Sequence, residues 1–160
     1  MHLAIDPGTA CGIARWSRDG GFSAKVVDLS AHSQGATFAR TRSVLRSEIM
    51  GASSIVLEAP VLPDGVSIQS RTMLFGIRAY VLELAHTSGV SLVEVNSQQW
   101  RKDVLGVARA PKGTDDSRAW LKARCVLEME KRGHGFLPVD AAEALAILYW
   151  HLKKRKIDVS

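Results

Sequence analysis

Cysteine is nearly absent. The 160-residue chain holds only Cys11 and Cys125, too few for a disulfide framework and without the spacing of a zinc site. They suit reduced thiols in a cytosolic protein, with one disulfide between them the remaining option. Long apolar runs are missing too: no stretch of about 18 apolar residues occurs, so no membrane-spanning helix is expected. MHLAIDPG reaches polar residues within six positions, too soon for the apolar region of a signal peptide. No internal repeat, low-complexity tract or linker interrupts the sequence, and no Ser/His/Asp arrangement suggests nucleophilic catalysis. What is present is the composition of one globular domain over residues 1–160, 46% hydrophobic and 23% charged, enough to build a core. Basic residues outnumber acidic ones, 21 to 16, for a net charge of +5. That excess favours a polyanionic partner without identifying one.

Strand and helix signals alternate along the chain. HLAID is a short apolar run ending at Pro7-Gly8, and GIARW and SAKVVDL read as strands around the turn Arg18-Asp19-Gly20-Gly21. Phe38, Val44, Leu45 and Ile49 recur at helical spacing over 36–50. Ser54 to Glu58 has a continuous Ile-Val-Leu centre, as in a strand buried on both faces of a parallel sheet. Leu74, Ile77, Val81 and Leu84 mark a longer helix, expected over 72–85, and 90–95 is another strand. Ser97 can cap a short helix ending near Gly106, and VARAPKGTDD reads as a loop. Asp115 or Asp116 can start the next helix, which Gly133 stops, and a last helix runs from about Asp140 into HLKKRK. Three opening strands followed by strand–helix units match an α/β fold, a mixed sheet flanked by helices. Trp100 and Trp120 are expected in the core, Trp16 exposed near the sheet edge.

Four acidic residues stand out: Asp6 in LAIDPGT, Glu58 in SIVLEAP, and Asp140 with Glu143 in VDAAEALA. The first two end strand-like runs, and the last two share a helix face at i and i+3. Gathered in one pocket, four carboxylates repel unless divalent cations hold them. Hard cations such as Mg²⁺ choose carboxylate oxygen, and paired metals serve phosphodiester cleavage. Each residue also has a plainer role. Asp before Pro-Gly is turn chemistry, and Asp-x-x-Glu at a helix start is a capping pattern that complements the helix dipole. Glu58 is harder to explain away, because a carboxylate after a buried Ile-Val-Leu is costly without a partner.

The segments Asp6-Pro7-Gly8-Thr9 with Gly12, then Glu58, then 140–146 (DAAEALA) occur in that order across nearly the whole chain. In this they resemble the RuvC-type Holliday-junction resolvases of the RNase H-like superfamily, and the short chain resembles phage-encoded versions. The resemblance implies a five-stranded RNase H-like mixed sheet with Asp6 on the first strand, Glu58 ending the fourth, and the acidic pair opening the last helix. It implies two Mg²⁺ ions per site, with Mn²⁺ able to substitute, held by Asp6, Glu58, Asp140 and Glu143. The implied activity is paired nicking of four-way DNA junctions by a homodimer, in the cytoplasm at the nucleoid, with 5′-phosphate and 3′-hydroxyl products. The family's last acid is Asp where this chain has Glu143, a longer arm that bears on metal spacing.

The resemblance also places Lys112 on a basic loop near the scissile phosphate and Arg78 at a basic position on the long helix. Arg101, Lys102, Arg109, Arg118 and Lys122 surround the acidic segments in sequence and would track DNA backbones without reading bases. His134, between two glycines before Asp140, reads first as a loop residue without a role in the chemistry, the alternative being a proton carrier or outer-shell group at the site. The family's junction-wedging aromatic after the strand-four Glu is missing; Val61 or Leu62 stands in its place. The apolar surface of the 72–85 helix exceeds what one core face needs, which a homodimer would explain. The rival readings are a broader nuclease for forks and flaps, a catalytically silent junction binder, and an actin-like phosphotransferase fragment. The last lacks both the length and any adenosine-binding motif.

Overall fold

The computed structural model describes residues 1–60 and 65–159; Val61 and Leu62 lie outside them. Five strands form one sheet in the order β3-β2-β1-β4-β5. β1 (His2–Asp6), β2 (Ala10–Ser17) and β3 (Gly21–Asp28) are an antiparallel meander, while β4 (Ser54–Glu58) and β5 (Ser91–Val95) run parallel to β1. Two-residue alternation along β1 sends Leu3 and Ile5 to one face and Ala4 to the other. β4 is buried on both sides, as its uninterrupted apolar centre requires.

Each face takes its own helices. α1 (Gln34–Ile49) and α2 (Ile68–Thr87) set Leu45, Ile49, Ile77 and Val81 against Leu3, Ile5, Ile13, Ile55 and Leu57. Each such side chain contributes on the order of 2 kcal/mol by leaving water. On the other face, α5 (Val139–Lys154) lies across the sheet with α3 (Ser97–Leu105) and α4 (Ser117–Lys131) beside it. Every residue of α5 from Ala141 to Leu148 is buried. The sheet meets this helix with small residues, Ala4, Gly12 and Ala14, so the backbones come close. At Gly12 a Cβ would lie 2.1 Å from the carbonyl oxygen of Asp140 and 3.1 Å from the Ala144 Cβ. The first turn of α5 is therefore seated on β2 by the lack of a side chain there.

The expected elements form, with local differences. α2 starts before 72, because the Ser67 side chain accepts from the Ser70 N–H and opens the helix there. α3 is capped by Asn96, and not by Ser97: the Asn96 side chain accepts from the Gln99 backbone N–H and the Asn96 backbone N–H donates to the Gln99 side chain, a capping box. Asp116 caps α4. Trp16 is buried, not exposed at the edge; it packs beside His2 and Phe22 on the α5 face. Cys11 and Cys125 are free, and they belong to clusters on opposite faces of the sheet, which excludes a disulfide between them. Among the described residues no helix is long and apolar enough to cross a membrane.

Gly12→Ala is expected to destabilise the protein by at least about 3 kcal/mol, since neither backbone can yield cheaply. Gly35→Ala, in a helical position with open space around it, should instead be neutral or stabilising by up to about 1 kcal/mol. Urea denaturation midpoints of the two variants check this, and equal midpoints would refute it.

Candidate metal centre

Asp6 and Glu58 end neighbouring parallel strands. The β1–β4 register pairs Ile5 with Leu57, so the next residue on each strand is the carboxylate. Each side chain points, like Ala4 and Val56 two residues earlier, toward α5. Asp140 and Glu143 come down onto the same spot from the first turn of α5, held there by the Gly12 contact. Carboxylate oxygens of Asp6, Asp140 and Glu143 all lie within 4.8 Å of one another. Glu58 lies outside that trio, close enough for its charge to act on Asp6.

Asp140 does not cap α5: Pro138 occupies the cap position and no side chain bonds the exposed N–H groups. Both acids of the helix are thus free to face the strand ends.

The electrostatics follow from this crowding. Burial, then the charge of Glu58, then Glu143 and Asp140, raise the Asp6 carboxyl well above the usual carboxylate range. Burial also raises Glu143, opposed by Lys122, reinforced by Glu58 and opposed again by Arg101. The Cys11 thiol beside the site is pushed up to about 12, by burial and then the field of Asp6, so it is not a nucleophile.

Two basic side chains reach into the cluster. Lys122 Nζ of α4 lies 3.0 Å from Asp140 Oδ1 and 3.7 Å from Glu143 Oε2, and Arg101 Nη2 of α3 lies 3.2 Å from Glu143 Oε1. Burial works against the Lys122 ammonium, but its hydrogen bond to Asp140 and the fields of Glu143 and Asp140 prevail, and its pKa is raised. Trp100 donates its indole N–H to Glu58 Oε1 at 3.0 Å, and the Arg101 guanidinium lies 5.0 Å from the Trp100 ring centre. The Arg101 Nε is buried with no partner.

The donor set fits a hard divalent cation. All the convergent donors are carboxylate oxygens, and the trio is close enough to contract onto one ion at about 2.1 Å. The four acids outnumber the two basic side chains that meet them, Arg101 and Lys122. Asp6, Asp140 and Glu143 could share that ion, with Glu58 next to it through Asp6.

The other residues singled out in the sequence are dispersed. Arg118 is exposed one turn before Lys122 on α4, and its charge acts on that ammonium. Lys112 and Arg109 are exposed between α3 and α4, and Lys102 is exposed on α3; none bonds the four acids. Arg78 does not reach the site, because it is forked onto Glu94 at 2.5 and 2.7 Å beside β5. His134 bonds the Tyr149 hydroxyl. The sequence reading passed over Trp100 as a part of the site. The β4–β5 register pairs Glu58 with Val95, and Trp100 is the one aromatic in the polar helix that follows, so it must turn inward beside that strand end. Lys122 was only one of several basic residues; its position one turn beyond Arg118 on the helix facing α5 distinguishes it.

Structures of known proteins share this arrangement of elements. Thermus thermophilus RuvC superposes with a TM-score of 0.69 over 98% of this chain and 95% of that one, at 17% identity. The fold is that of RuvC. T. thermophilus RuvC in complex with Holliday junction substrate gives 0.71 over 98% and 94%, also at 17% identity. The yeast mitochondrial Holliday junction resolvase Ydc2 gives 0.56 over 92% and 75%, at 14% identity. No protein-family model and no curated protein sequence matches the chain. At these identities the RuvC likeness is one of fold: the five-stranded mixed sheet with its α5 crossing.

Because Asp6 is raised, its ionisation costs the metal-free protein stability, a cost absent below the ordinary carboxylate range that grows as pH rises through the raised pKa. Asp6→Asn is therefore expected to melt on the order of 5 °C higher than wild type in EDTA at pH 7.5. The gain should shrink at pH 4, and saturating Mn²⁺ should narrow it by stabilising only the wild type. Calorimetry checks all three; a variant no more stable than wild type in EDTA would contradict the crowding.

Proposed function

We propose that the protein is a metal-dependent endonuclease, a single RNase H-like domain that resolves four-way DNA junctions by paired nicks. The observation that carries this is the convergence of Asp6, Glu58, Asp140 and Glu143 on one spot of a fold shared with a RuvC captured on Holliday junction substrate. Asp6, Glu58, Asp140 and Glu143 would hold two Mg²⁺, with Mn²⁺ as a substitute. When bound, such ions supply a water of lowered pKa and positive charge on the scissile phosphate and its leaving oxygen.

The chain's own residues then have separate tasks. Trp100 holds the Glu58 carboxylate in one orientation through its N–H. Arg101 and Lys122 offset the charge of the acids, and Lys122, at the margin of the cluster, would meet a phosphate brought to it. Arg118, Arg109, Lys102 and Lys112 lie exposed for contacts to the DNA backbone that fix its register. The products carry 5′-phosphate and 3′-hydroxyl ends, and no covalent intermediate with the protein is needed.

Two copies acting on two strands of a junction suit a symmetric dimer. α2 is the surface for it, since Ile68 and Phe75 leave apolar area exposed there. The setting is DNA recombination and repair in the cytoplasm of a cell. One observation favours a second reading: two basic side chains already sit among the acids, as they would in a junction-binding protein that has given up cleavage.

Labelled four-way junction, Y-fork and linear duplex DNA, incubated with Mg²⁺, Mn²⁺ or EDTA, separate the readings. Symmetric, metal-dependent nicks at the junction are expected, with Asp6→Asn slower by at least about 10²-fold, the scale lost with one electrostatic anchor of a transition state. Cutting of every branched form would mean a broader nuclease. Junction binding without cutting in either metal would leave the silent binder.

A further inference from the structure

The loop 132–138 between α4 and α5 carries Phe136 with 87% of its surface exposed, the largest value among the big apolar side chains described. A lone exposed Phe is ordinary; this one is presented by a loop that is fastened on both sides. Gly133 and His134 donate their N–H groups to Glu130 and Met129 at 2.9 and 3.2 Å, and the His134 ring bonds the Tyr149 hydroxyl at 2.6 Å. Leu137 packs on the core, and Pro138 opens α5. Gly133 and Gly135 take the positive φ values, 88° and 64°, that this double turn demands.

The loop also adjoins a run of ring faces. Phe22 stacks on Tyr149 with centres 4.6 Å apart, His134 meets Phe22 edge-on at 5.3 Å, and the Arg132 guanidinium covers Tyr149 at 4.8 Å. Arg132 shares its charge with Glu128, while Lys131 beside it is exposed. These rings pack on one another and on the core, so they brace the loop; the face it leaves open is that of Phe136, and bases stack on an aromatic face whatever their sequence.

Position decides what such a surface would serve. Phe136 is four residues before Asp140, so about 14 Å of extended backbone is the most that can separate them. That is the rise of about four stacked bases at about 3.4 Å each. A strand whose phosphate sat at the carboxylates would need to run no more than this distance to meet the ring.

We propose that Phe136, at the lip of the Phe22–His134–Tyr149 cluster, is the stacking platform for a nucleobase unpaired near the cleavage point. The proposal rests on the DNA-cleaving reading above and adds to it a residue that selects branched over linear DNA. In a linear duplex every base is already stacked on its neighbours, so the ring gains nothing. At a branch point a base that has lost its neighbour finds the Phe136 face instead.

The test uses the full chain in EDTA, where no cutting occurs. The probe is a four-way junction carrying 2-aminopurine beside the crossover, with linear duplex as the control. Wild type should change the 2-aminopurine fluorescence on binding. Phe136→Ala should abolish that change and weaken junction binding about tenfold, with duplex binding and melting temperature unaltered, and Phe136→Trp should restore both. Wild-type binding without a fluorescence change, or equal binding by Phe136→Ala, would overturn the platform while leaving the nuclease reading intact. A variant that altered only the oligomeric state would reassign the ring to a contact between copies. Failure of wild type to bind junction or duplex would remove the DNA reading, and the platform with it.

Discussion

Like charges at close quarters are the constraint around which this molecule is arranged. Asp6, Glu58, Asp140 and Glu143 oppose their own assembly, and burial adds to the cost for Asp6 and Glu143. They stay together because their supports are stiffer than their repulsion. β1 and β4 are central strands, paired on both edges, and α5 is buried through its middle by both strands and helices. Removing a few kilocalories of repulsion would be of no use if the backbone could splay instead, and Gly12 shows why it does not. The helix start is pressed onto β2 closely enough that even a methyl group would not fit.

Arg101 and Lys122 give the same constraint a second consequence. They lie where cations are needed and come from α3 and α4, elements that share their packing with α5. The metal-free protein is thereby a folded state with a partly satisfied site, and any ion that enters competes with side chains rather than with water alone. Glu143 meets Arg101 on the neighbouring helix at 3.2 Å. The buried, unpartnered Arg101 Nε marks that contact as one made for its charge rather than for full hydrogen bonding.

The sequence was most legible where one periodicity governed one element. The buried strand β4 and the strand-ending positions of Asp6 and Glu58 follow from short apolar runs, and Asp140 with Glu143 from helical spacing. What was hidden depended on contacts between segments far apart in the chain. Trp16 was placed at the edge because nothing local reveals that His2 and Phe22 enclose it. Asn96 outcompeted Ser97 as a cap because Gln99 could return its hydrogen bond. Arg78 is a basic residue on a long helix by sequence, and only the register of β5 brings Glu94 beneath it. Trp100 and Lys122 belong to the site through packing that no spacing rule encodes.

Half of the acids are read early in the chain and half near its end: Asp6 lies on the first strand, Asp140 and Glu143 on the last helix. During synthesis the strands and α1 to α3 can order before α5 exists, but the acidic pocket cannot. Bringing residue 140 back to residue 6 is among the longest closures this topology requires, and such closures come late and slowly. A nascent chain therefore lacks the assembled acids until α5 docks, as does any product of stalled translation or of proteolysis between α4 and α5. The order in which this fold is threaded leaves the acidic cluster incomplete until its last helix is in place.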